Sequence, residues 1–335
     1  MEQNGSTKIV SMGHYLPPQR VKSSELMEEI DSERRFGVRS HFLSALIGVE
    51  ERRYAPADAP PSALAIEASI DALRRSSIRP ADIDYVIYCG IERDWQEPAT
   101  AHRVQSEVGA YNATCFDVTN ACHGFMNGLA IADAFIGTGS AETCLVCTGE
   151  VGSKVAKDII RQLRDEPCTK DHFKLQVGAL TLGDAGAAMI VQRSNNDCGF
   201  KKFRFSSGGE HAELCYYNKS RNGTVNGAMH MKEISAELVA WHKEAINQTY
   251  EQLGWRPDDV KSLFLHQLGA RPHKWFCELA DIDVSRAPAT LPKLGNIASA
   301  TIPVTMCLNP PDIGDNVLVL SSGSGVSIGQ TGLTF

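Results

Sequence analysis

Short apolar runs alternate with longer stretches of helical periodicity along this chain. The runs at 85–89, 145–147, 263–265 and 317–320 are bulky or β-branched, and the stretches at 63–76 and 237–253 show helical spacing. Continuous apolar strands separated by helices are typical of central sheets that helices cover on both faces. The pattern therefore predicts an α/β protein.

Two parts of the sequence repeat the same layout. The segment RPADIDYVIYCG begins at Arg79 and RPDDVKSLFLHQ begins at Arg256, which is 177 positions later. Gly139 and Gly314, each in a turn between a small-residue helix and an apolar strand, are 175 positions apart. Nearly equal offsets predict an internal duplication. We expect two similar α/β halves, 1–180 and 181–335, with the functional site between them.

Composition excludes several classes of protein. The 335 residues are 43% hydrophobic and 22% charged, with 33 Lys and Arg against 40 Asp and Glu, a net charge of −7. An acidic chain is a poor candidate for binding nucleic acid. No apolar stretch approaches the roughly 20 residues that span a bilayer, and the first residues lack a secretory signal pattern. Ten scattered cysteines favour a reducing compartment. We expect a cytoplasmic protein without membrane or nucleic-acid partners.

Cys122 is the strongest candidate for chemistry. It follows a strand-like segment and stands at the start of a predicted helix that contains Gly124 and Gly128. The positive end of a helix dipole stabilises a thiolate, so this position predicts a lowered pKa for Cys122. A buried structural cysteine is the alternative interpretation.

The duplication supplies two further polar groups. Asn296 lies in the corresponding turn of the second half, and His266 ends the apolar run at 263–265. A Cys, a His and an Asn at the ends of separate strands or loops fit nucleophilic catalysis with two hydrogen-bond donors. Cys144 and Cys147 have the spacing of half a zinc site, but no second pair follows at metal spacing. No metal site is expected.

Four motifs together resemble the β-ketoacyl-acyl-carrier-protein synthase III family of thiolase-like condensing enzymes, over nearly the whole chain. They are ACxGF at 121–125, LGDAGAA at 182–188, HQ at 266–267 and GNxxSAxIP at 295–303. The resemblance implies a five-layered αβαβα thiolase-like fold and a homodimer. It also implies that no cofactor is needed.

The same resemblance implies a two-step reaction. Cys122 takes an acyl group from acyl-CoA or a carrier protein, with an oxyanion hole formed by the backbone N–H groups of Cys122 and Ser324. Malonyl-CoA or malonyl-acyl-carrier protein then loses carbon dioxide, and His266 and Asn296 stabilise its enolate. The product is a 3-oxoacyl thioester.

The sequence departs from the family pattern at the expected substrate entrance. Leu268 and Gly269 replace the family's small and amide groups along the pantetheine arm, and Phe42 stands where an adenine-clamping aromatic would be expected. Arg271 matches a family arginine at the carrier-docking mouth. These four residues are the candidate substrate- and carrier-binding positions.

Glu97 is the most informative departure. It lies 25 residues before Cys122, where the synthases usually carry an apolar residue that reaches into the partner subunit. A Glu here is similar to the acyl-CoA condensing enzymes of head-to-head olefin synthesis. The alternative function is therefore non-decarboxylative condensation of two acyl-CoA molecules with Glu97 as the base. A non-catalytic partner subunit is a further alternative, although the Cys/His/Asn set is intact.

Overall fold

The computed structural model describes residues 7–194, 198–219 and 224–335. Within these ranges the strands are β1 Thr7–Tyr15, β2 Gln19–Lys22, β3 Glu51–Tyr54, β4 Tyr85–Tyr88, β5 Thr114–Asp117, β6 Thr143–Val151, β7 Asp184–Arg193, β8 Gly199–Ser207, β9 Cys215–Lys219, β10 Val225–Met229, β11 Ser262–Leu265, β12 Asn316–Gly323 and β13 Ser327–Thr334. The α-helices are α1 Ser23–Glu29, α2 Ser32–Phe36, α3 Pro61–Arg74, α4 Thr100–Val108, α5 Gly124–Gly137, α6 Ser153–Asp165, α7 Lys170–Gln176, α8 Met231–Leu253, α9 Ala270–Leu279, α10 Leu291–Leu294 and α11 Thr301–Leu308. A π-helix spans Leu43–Ile47, and 3-10 turns span Pro80–Asp82, Ala179–Thr181, Gly209–Leu214, Pro257–Asp259, Val284–Arg286 and Ala298–Ala300.

The two main sheets confirm the predicted duplication. The first has the order β1-β7-β6-β4-β5, and the second, written in the same direction, has the order β8-β13-β12-β11. In the first sheet β4 and β6 are parallel, and β6 and β7 are antiparallel. The corresponding pairs of the second sheet agree: β11 and β12 are parallel, and β12 and β13 are antiparallel. The strands β4 and β11 begin 177 residues apart, which is the offset seen in the sequence.

Helices separate and cover the two sheets. Helices α5 and α11 contribute to the central apolar cluster, which contains strand residues from both sheets. Helices α3 and α4 pack on the outer face of the first sheet, and α8 and α9 on the outer face of the second. This is the five-layered αβαβα thiolase-like arrangement. Because strands β4, β6, β11 and β12 are buried on both faces, they read in the sequence as continuous apolar runs.

A smaller unit covers one end of the sheets. Helices α1, α2, α6 and α7 share an apolar cluster with Val225 of the β9–β10 hairpin. Hydrogen bonds fasten this hairpin to the helices: Gln162 Nε2 donates to the carbonyl of Val225 at 2.8 Å, and Gln176 Nε2 to that of Gly227 at 2.7 Å. The unit therefore forms a wall over the region where the strand ends meet.

Strand β7 hydrogen-bonds to β1 and β6 of the first sheet. The chain thus passes from the first sheet to the second between Arg193 and Gly199. The predicted boundary between the two halves at residue 180 stays a prediction. No helix in the described ranges is long and apolar enough to span a bilayer.

Candidate active site

Cys122 lies in the turn between β5 and α5, two residues before the helix begins. Ala121 before it adopts a left-handed backbone conformation with φ of +47°. Two glycines allow the helix to approach β4 closely. A Cβ on Gly124 would lie 2.7 Å from the carbonyl oxygen of Cys89, and one on Gly128 would lie 2.3 Å from its Sγ. The absence of side chains at these two positions therefore lets the Cys122 turn and the start of α5 pack directly against Cys89, which follows β4.

His266 follows β11 and is buried, and its backbone N–H donates to the carbonyl of Leu320 at 3.1 Å. Neither ring nitrogen has a hydrogen-bond partner among the described residues. Burial, with a smaller contribution from His123, lowers the pKa of His266 to about 4. The imidazole is therefore neutral near pH 7, with one N–H to donate and one nitrogen to accept.

Asn296 is fixed by its neighbours. Its backbone N–H donates to the carbonyl of Thr181 at 2.9 Å, and its side-chain Oδ1 accepts from the backbone N–H of Ala298 at 3.0 Å. Gly295 has φ of +68°, and a Cβ there would lie 2.4 Å from the same Thr181 oxygen. Because Oδ1 is occupied by a donor, the amide NH2 is the group that remains for a ligand.

One cavity brings the predicted chemical groups together. Cys122, His266, Asn296 and Ser324 all line it, and its volume is about 240 Å³. A single water needs only about 10–15 Å³ by the same measure, so the cavity can admit a chain-like ligand. Its wall is mostly apolar, with contributions from α6, α8 and the β9–β10 hairpin. The apolar and sulfur-containing lining includes Val151, Val155, Leu182, Cys215, Met229, Ile234, Leu238 and Leu268.

The predicted lowering of the Cys122 pKa was wrong. Burial raises the pKa of this thiol, and the nearby carboxyl of Glu150 and thiol of Cys215 raise it further. A hydrogen bond from backbone opposes these effects only partly. In the ligand-free cavity Cys122 therefore rests as a neutral thiol, and its activation requires removal of the proton when substrate is bound.

The substrate-binding candidates lie at different distances from the chemistry. Leu268 is buried in the cavity wall, whereas Gly269, Arg271 and Phe42 are not among the lining residues. Gly269 precedes α9, Arg271 is exposed in its first turn, and Phe42 packs edge-on against Phe173 with ring centroids 6.3 Å apart. Their roles stay predictions.

Glu97 lies outside the cavity of its own protomer. It is exposed in the loop between β4 and α4. Ile91 and Glu92, from the same loop, do line the cavity. A direct role for Glu97 in the chemistry therefore requires that it enter the site of a second subunit.

Glu150 is a site residue that the sequence reasoning missed. It stands near the end of β6, is only 3% exposed, and lines the cavity with Cys122. Burial raises the pKa of Glu150 to about 8. The available signal was a carboxylate inside the otherwise apolar and small-residue strand TCLVCTGEV.

Groups of three or more metal-ligating side chains do not occur in the described parts of the chain. Cys144 and Cys147 are free, buried residues of β6. The polar groups that line the cavity include the thiols of Cys122 and Cys215, the neutral imidazole of His266, the amide of Asn296 and the carboxyls of Glu92 and Glu150. A thiol beside an imidazole and an amide donor suits acyl transfer.

Two protein-family models match this chain. The family model for 3-oxoacyl-[acyl-carrier-protein (ACP)] synthase III matches residues 116–209, and the model for its C-terminal part matches residues 250–335. Together the two matches cover more than half of the chain. They include Cys122 in the first match and both His266 and Asn296 in the second.

Two relatives of different activity are similar over almost their full lengths. A β-ketoacyl-[acyl-carrier-protein] synthase III of Oceanobacillus iheyensis is 28% identical over 95% of this chain and 94% of its own. An acyl-CoA:acyl-CoA alkyltransferase of Xanthomonas campestris is 26% identical over 96% of both chains.

Solved structures show the same fold. OleA of Xanthomonas campestris with bound cerulenin superposes with a TM-score of 0.92, at 25% identity, over 100% of this chain and 98% of that one. An OleA variant with bound lauric acid and lauroyl-CoA gives a TM-score of 0.91 at 25% identity, over all of both chains.

Proposed function

Because this chain belongs to the 3-oxoacyl-[acyl-carrier-protein] synthase III family, we propose that it condenses an acyl group from acyl-CoA with a malonyl thioester. It is a condensing acyltransferase, and its product under this proposal is a 3-oxoacyl thioester. The observation that carries the proposal is the convergence of Cys122, His266 and Asn296 on one largely apolar cavity.

The first half-reaction loads the enzyme. The Cys122 sulfur forms a bond to the acyl carbonyl carbon, the bond from that carbon to the coenzyme A sulfur breaks, and the thiol proton leaves with coenzyme A. Neutral His266 can accept the thiol proton and return it to the leaving sulfur, since one ring nitrogen is unprotonated. The backbone N–H groups of Cys122 and Ser324 hold the developing oxyanion.

The second half-reaction forms the carbon–carbon bond. The malonyl thioester loses carbon dioxide, and its electron pair moves into an enolate that attacks the acyl carbon on Cys122. The NH2 of Asn296 and the N–H of His266 donate to the enolate oxygen, which is where negative charge develops. The bond to Cys122 breaks, and its thiolate takes up one proton to restore the resting thiol.

Assay with acyl-CoA in the presence and absence of malonyl-CoA or malonyl-acyl-carrier protein tests the proposal. We expect a 3-oxoacyl product and carbon dioxide only when the malonyl donor is present. Intact-mass analysis after acyl-CoA alone should show one acyl adduct on Cys122. Product without a malonyl donor would contradict the decarboxylative proposal, and absence of any adduct would favour a non-catalytic partner subunit.

A second candidate function is non-decarboxylative condensation of two acyl-CoA molecules. The likeness to an acyl-CoA:acyl-CoA alkyltransferase and to OleA favours it, as does the carboxylate at position 97. The base would take a proton from the carbon next to the carbonyl of the second acyl-CoA. The electron pair left on that carbon forms a bond to the acyl carbon on Cys122, the bond from that acyl carbon to the Cys122 sulfur breaks, and the thiolate takes up one proton. The malonyl-free assay described above separates this function from the first.

We further propose a cytoplasmic homodimer. Glu97 lies outside its own cavity, so any contribution to catalysis must come from the partner subunit. Leu268 would contact the arm of the thioester substrate inside the cavity. Arg271, Gly269 and Phe42 would contact the coenzyme or carrier protein outside it.

A further inference from the structure

Glu150 occupies an unusual place for a carboxyl group. It is almost wholly buried near the end of β6, whose nine residues are all buried, yet it forms part of the cavity wall shared with Cys122. A carboxylate removed from water is strongly disfavoured unless a cation or several donors compensate it. Its surroundings therefore decide whether it carries charge.

Three donors converge on one oxygen of this carboxyl. Oε1 accepts from the backbone N–H of Ile91 at 3.3 Å, from Thr148 Oγ1 at 3.3 Å, and from Ser299 Oγ in a short contact. Thr148 Oγ1 and Ser299 Oγ are themselves 2.7 Å apart. The Glu150 carboxyl and these two hydroxyls thus link β6 of the first half to the turn that follows Asn296 in the second half.

The internal duplication gives Ser299 a particular position. Ala121 and Ala298 both have φ of +47° and lie 177 residues apart, the same offset as between β4 and β11. The residues that follow them, Cys122 and Ser299, therefore occupy equivalent places in the two halves. Glu150 binds the serine that stands in the second half where the nucleophile stands in the first.

The titratable groups around Glu150 are mostly acidic. Glu92, on the loop after β4, raises the pKa of Glu150. Glu150 in turn raises the pKa of Cys122 in the turn before α5, of Tyr88 at the end of β4 and of Cys89 just after it. His266 lines the same cavity but is neutral near pH 7, because burial lowers its pKa to about 4. Near pH 7 the carboxyl is neutral, and it becomes charged only as the pH rises past about 8.

We propose that Glu150 is a positioning residue that holds the Ser299 turn while uncharged and suppresses formation of the Cys122 thiolate once it is ionised. The inference rests on the proposed role of Cys122 as the nucleophile. It follows that the rate at which Cys122 reacts should rise less steeply with pH in the range where Glu150 loses its proton.

Alkylation of Cys122 by iodoacetamide between pH 6.5 and 10, followed by peptide mass spectrometry, tests this without any acyl substrate. Glu150→Gln keeps the shape of the side chain but cannot ionise. We expect its alkylation rate to lie within about twofold of wild type at pH 7. At pH 9.5 it should be about tenfold higher, the effect of removing one nearby unit charge. Glu142→Gln, an exposed residue just before β6, is the matched control and should follow wild type.

Ser299→Ala provides a second variant in which Glu150 remains. In the wild type the hydrogen bond from the Ser299 hydroxyl lowers the pKa of Glu150, so removing this hydroxyl should raise that pKa. The suppression should then begin at higher pH, and the rates should converge with wild type at the alkaline end. Parallel profiles for wild type and Glu150→Gln, or a uniform loss at every pH, would overturn the proposal. If Glu150→Gln does not fold, an unchanged Ser299→Ala profile overturns it. Failure of acyl loading in wild type would instead refute the proposed function alone.

Discussion

Asn296 and Ala298 fix each other across a single turn: the Ala298 backbone N–H donates to Asn296 Oδ1 at 3.0 Å. Ile297 between them has φ of −97° and ψ of 31°, and this conformation turns the Ala298 N–H back toward the Asn296 side chain. The amide orientation follows, since only an oxygen can accept this bond. The NH2 of Asn296 is therefore held ready as a donor before any substrate arrives, which is the arrangement that stabilises a developing oxyanion most effectively.

Replacement of Asn296 should separate the two half-reactions. Asn296→Ala removes an enolate donor, so condensation should slow by roughly 10²–10³-fold, the usual loss for one oxyanion-hole donor. Acyl loading should stay close to wild type, because it uses the thiol and a different oxyanion site. Rapid-quench measurement of adduct and product checks both steps. Asn112→Ala, on the surface, is the control, and equal loss of both steps would show that Asn296 supports only the fold.

Replacement of Cys122 should abolish loading. Cys122→Ala should give no acyl adduct after incubation with acyl-CoA, as seen by intact mass. Cys215 also lines the cavity, but it lies on the β9–β10 hairpin and not in the turn before α5, whose backbone N–H is the proposed oxyanion donor. We therefore expect Cys215→Ala to load normally. An adduct of normal yield on the Cys122→Ala protein would refute the assignment of the nucleophile.

The sequence predicted the fold well because duplication and burial leave direct signals. The 177-residue offset between Arg79 and Arg256 reappears between β4 and β11, and the buried strands read as apolar runs. Cys122, His266 and Asn296 were predicted from their places at strand and loop ends, and all three line one cavity.

The charge states of the site residues were not predictable from the sequence in the same way. The pKa of Cys122 depends on depth of burial and on Glu150, which is 28 positions away in the sequence, and these outweighed the expected helix effect. Glu150 itself is bound by Ser299 from the other half of the chain. Such long-range contacts leave no local pattern. The contribution of Glu97 depends on a second subunit, so the composition of the loop alone cannot decide it.

Buried neutral histidines, among them His123, His242 and His266, should make the fold sensitive to acid. Burial lowers the pKa of His123 and His266 to about 4 and that of His242 to about 3. The unfolded chain, with histidine pKa values near 6.5, binds more protons, so stability is complete above pH 6.5 and is lost as the pH falls toward 4. The loss at pH 5 is about 2 kcal/mol per histidine.

Urea denaturation at pH 7.5 and pH 5 checks this expectation. His266→Leu removes one of the three groups, so its free energy of unfolding should fall about 2 kcal/mol less than wild type between these pH values. His102→Gln, at an exposed position of α4, should retain the wild-type dependence. A wild-type protein equally stable at both pH values would contradict the burial of neutral histidine.

Gly128 should be intolerant of a methyl group despite its place in a helix. Alanine normally favours a helix over glycine by about 1 kcal/mol. A Cβ here, however, would lie 2.3 Å from Cys89 Sγ and 3.0 Å from Val146 Cγ1. Overpacking costs about 1–3 kcal/mol, so Gly128→Ala should lower the Tm. Combining it with Cys89→Ala should recover part of the loss, whereas Gly209→Ala, with open space around it, should have little effect.

Glu97 separates the two proposed reactions most sharply. Glu97→Gln keeps the size of the side chain and its hydrogen-bonding capacity but removes the base. Loading of Cys122 should be unchanged, because loading needs only the thiol and its oxyanion donors. With a malonyl thioester as the second substrate, condensation should survive with an altered acyl preference, because decarboxylation supplies the carbanion without a base. Glu107→Gln, exposed on α4, is the matched control. Loss of malonyl-free condensation of two acyl-CoA molecules by more than about 10²-fold, with intact loading, would instead identify Glu97 as the general base of a non-decarboxylative enzyme that works as a dimer. A Glu97→Gln protein unchanged in loading, condensation and chain selectivity would show that this carboxylate is only a solvated surface group.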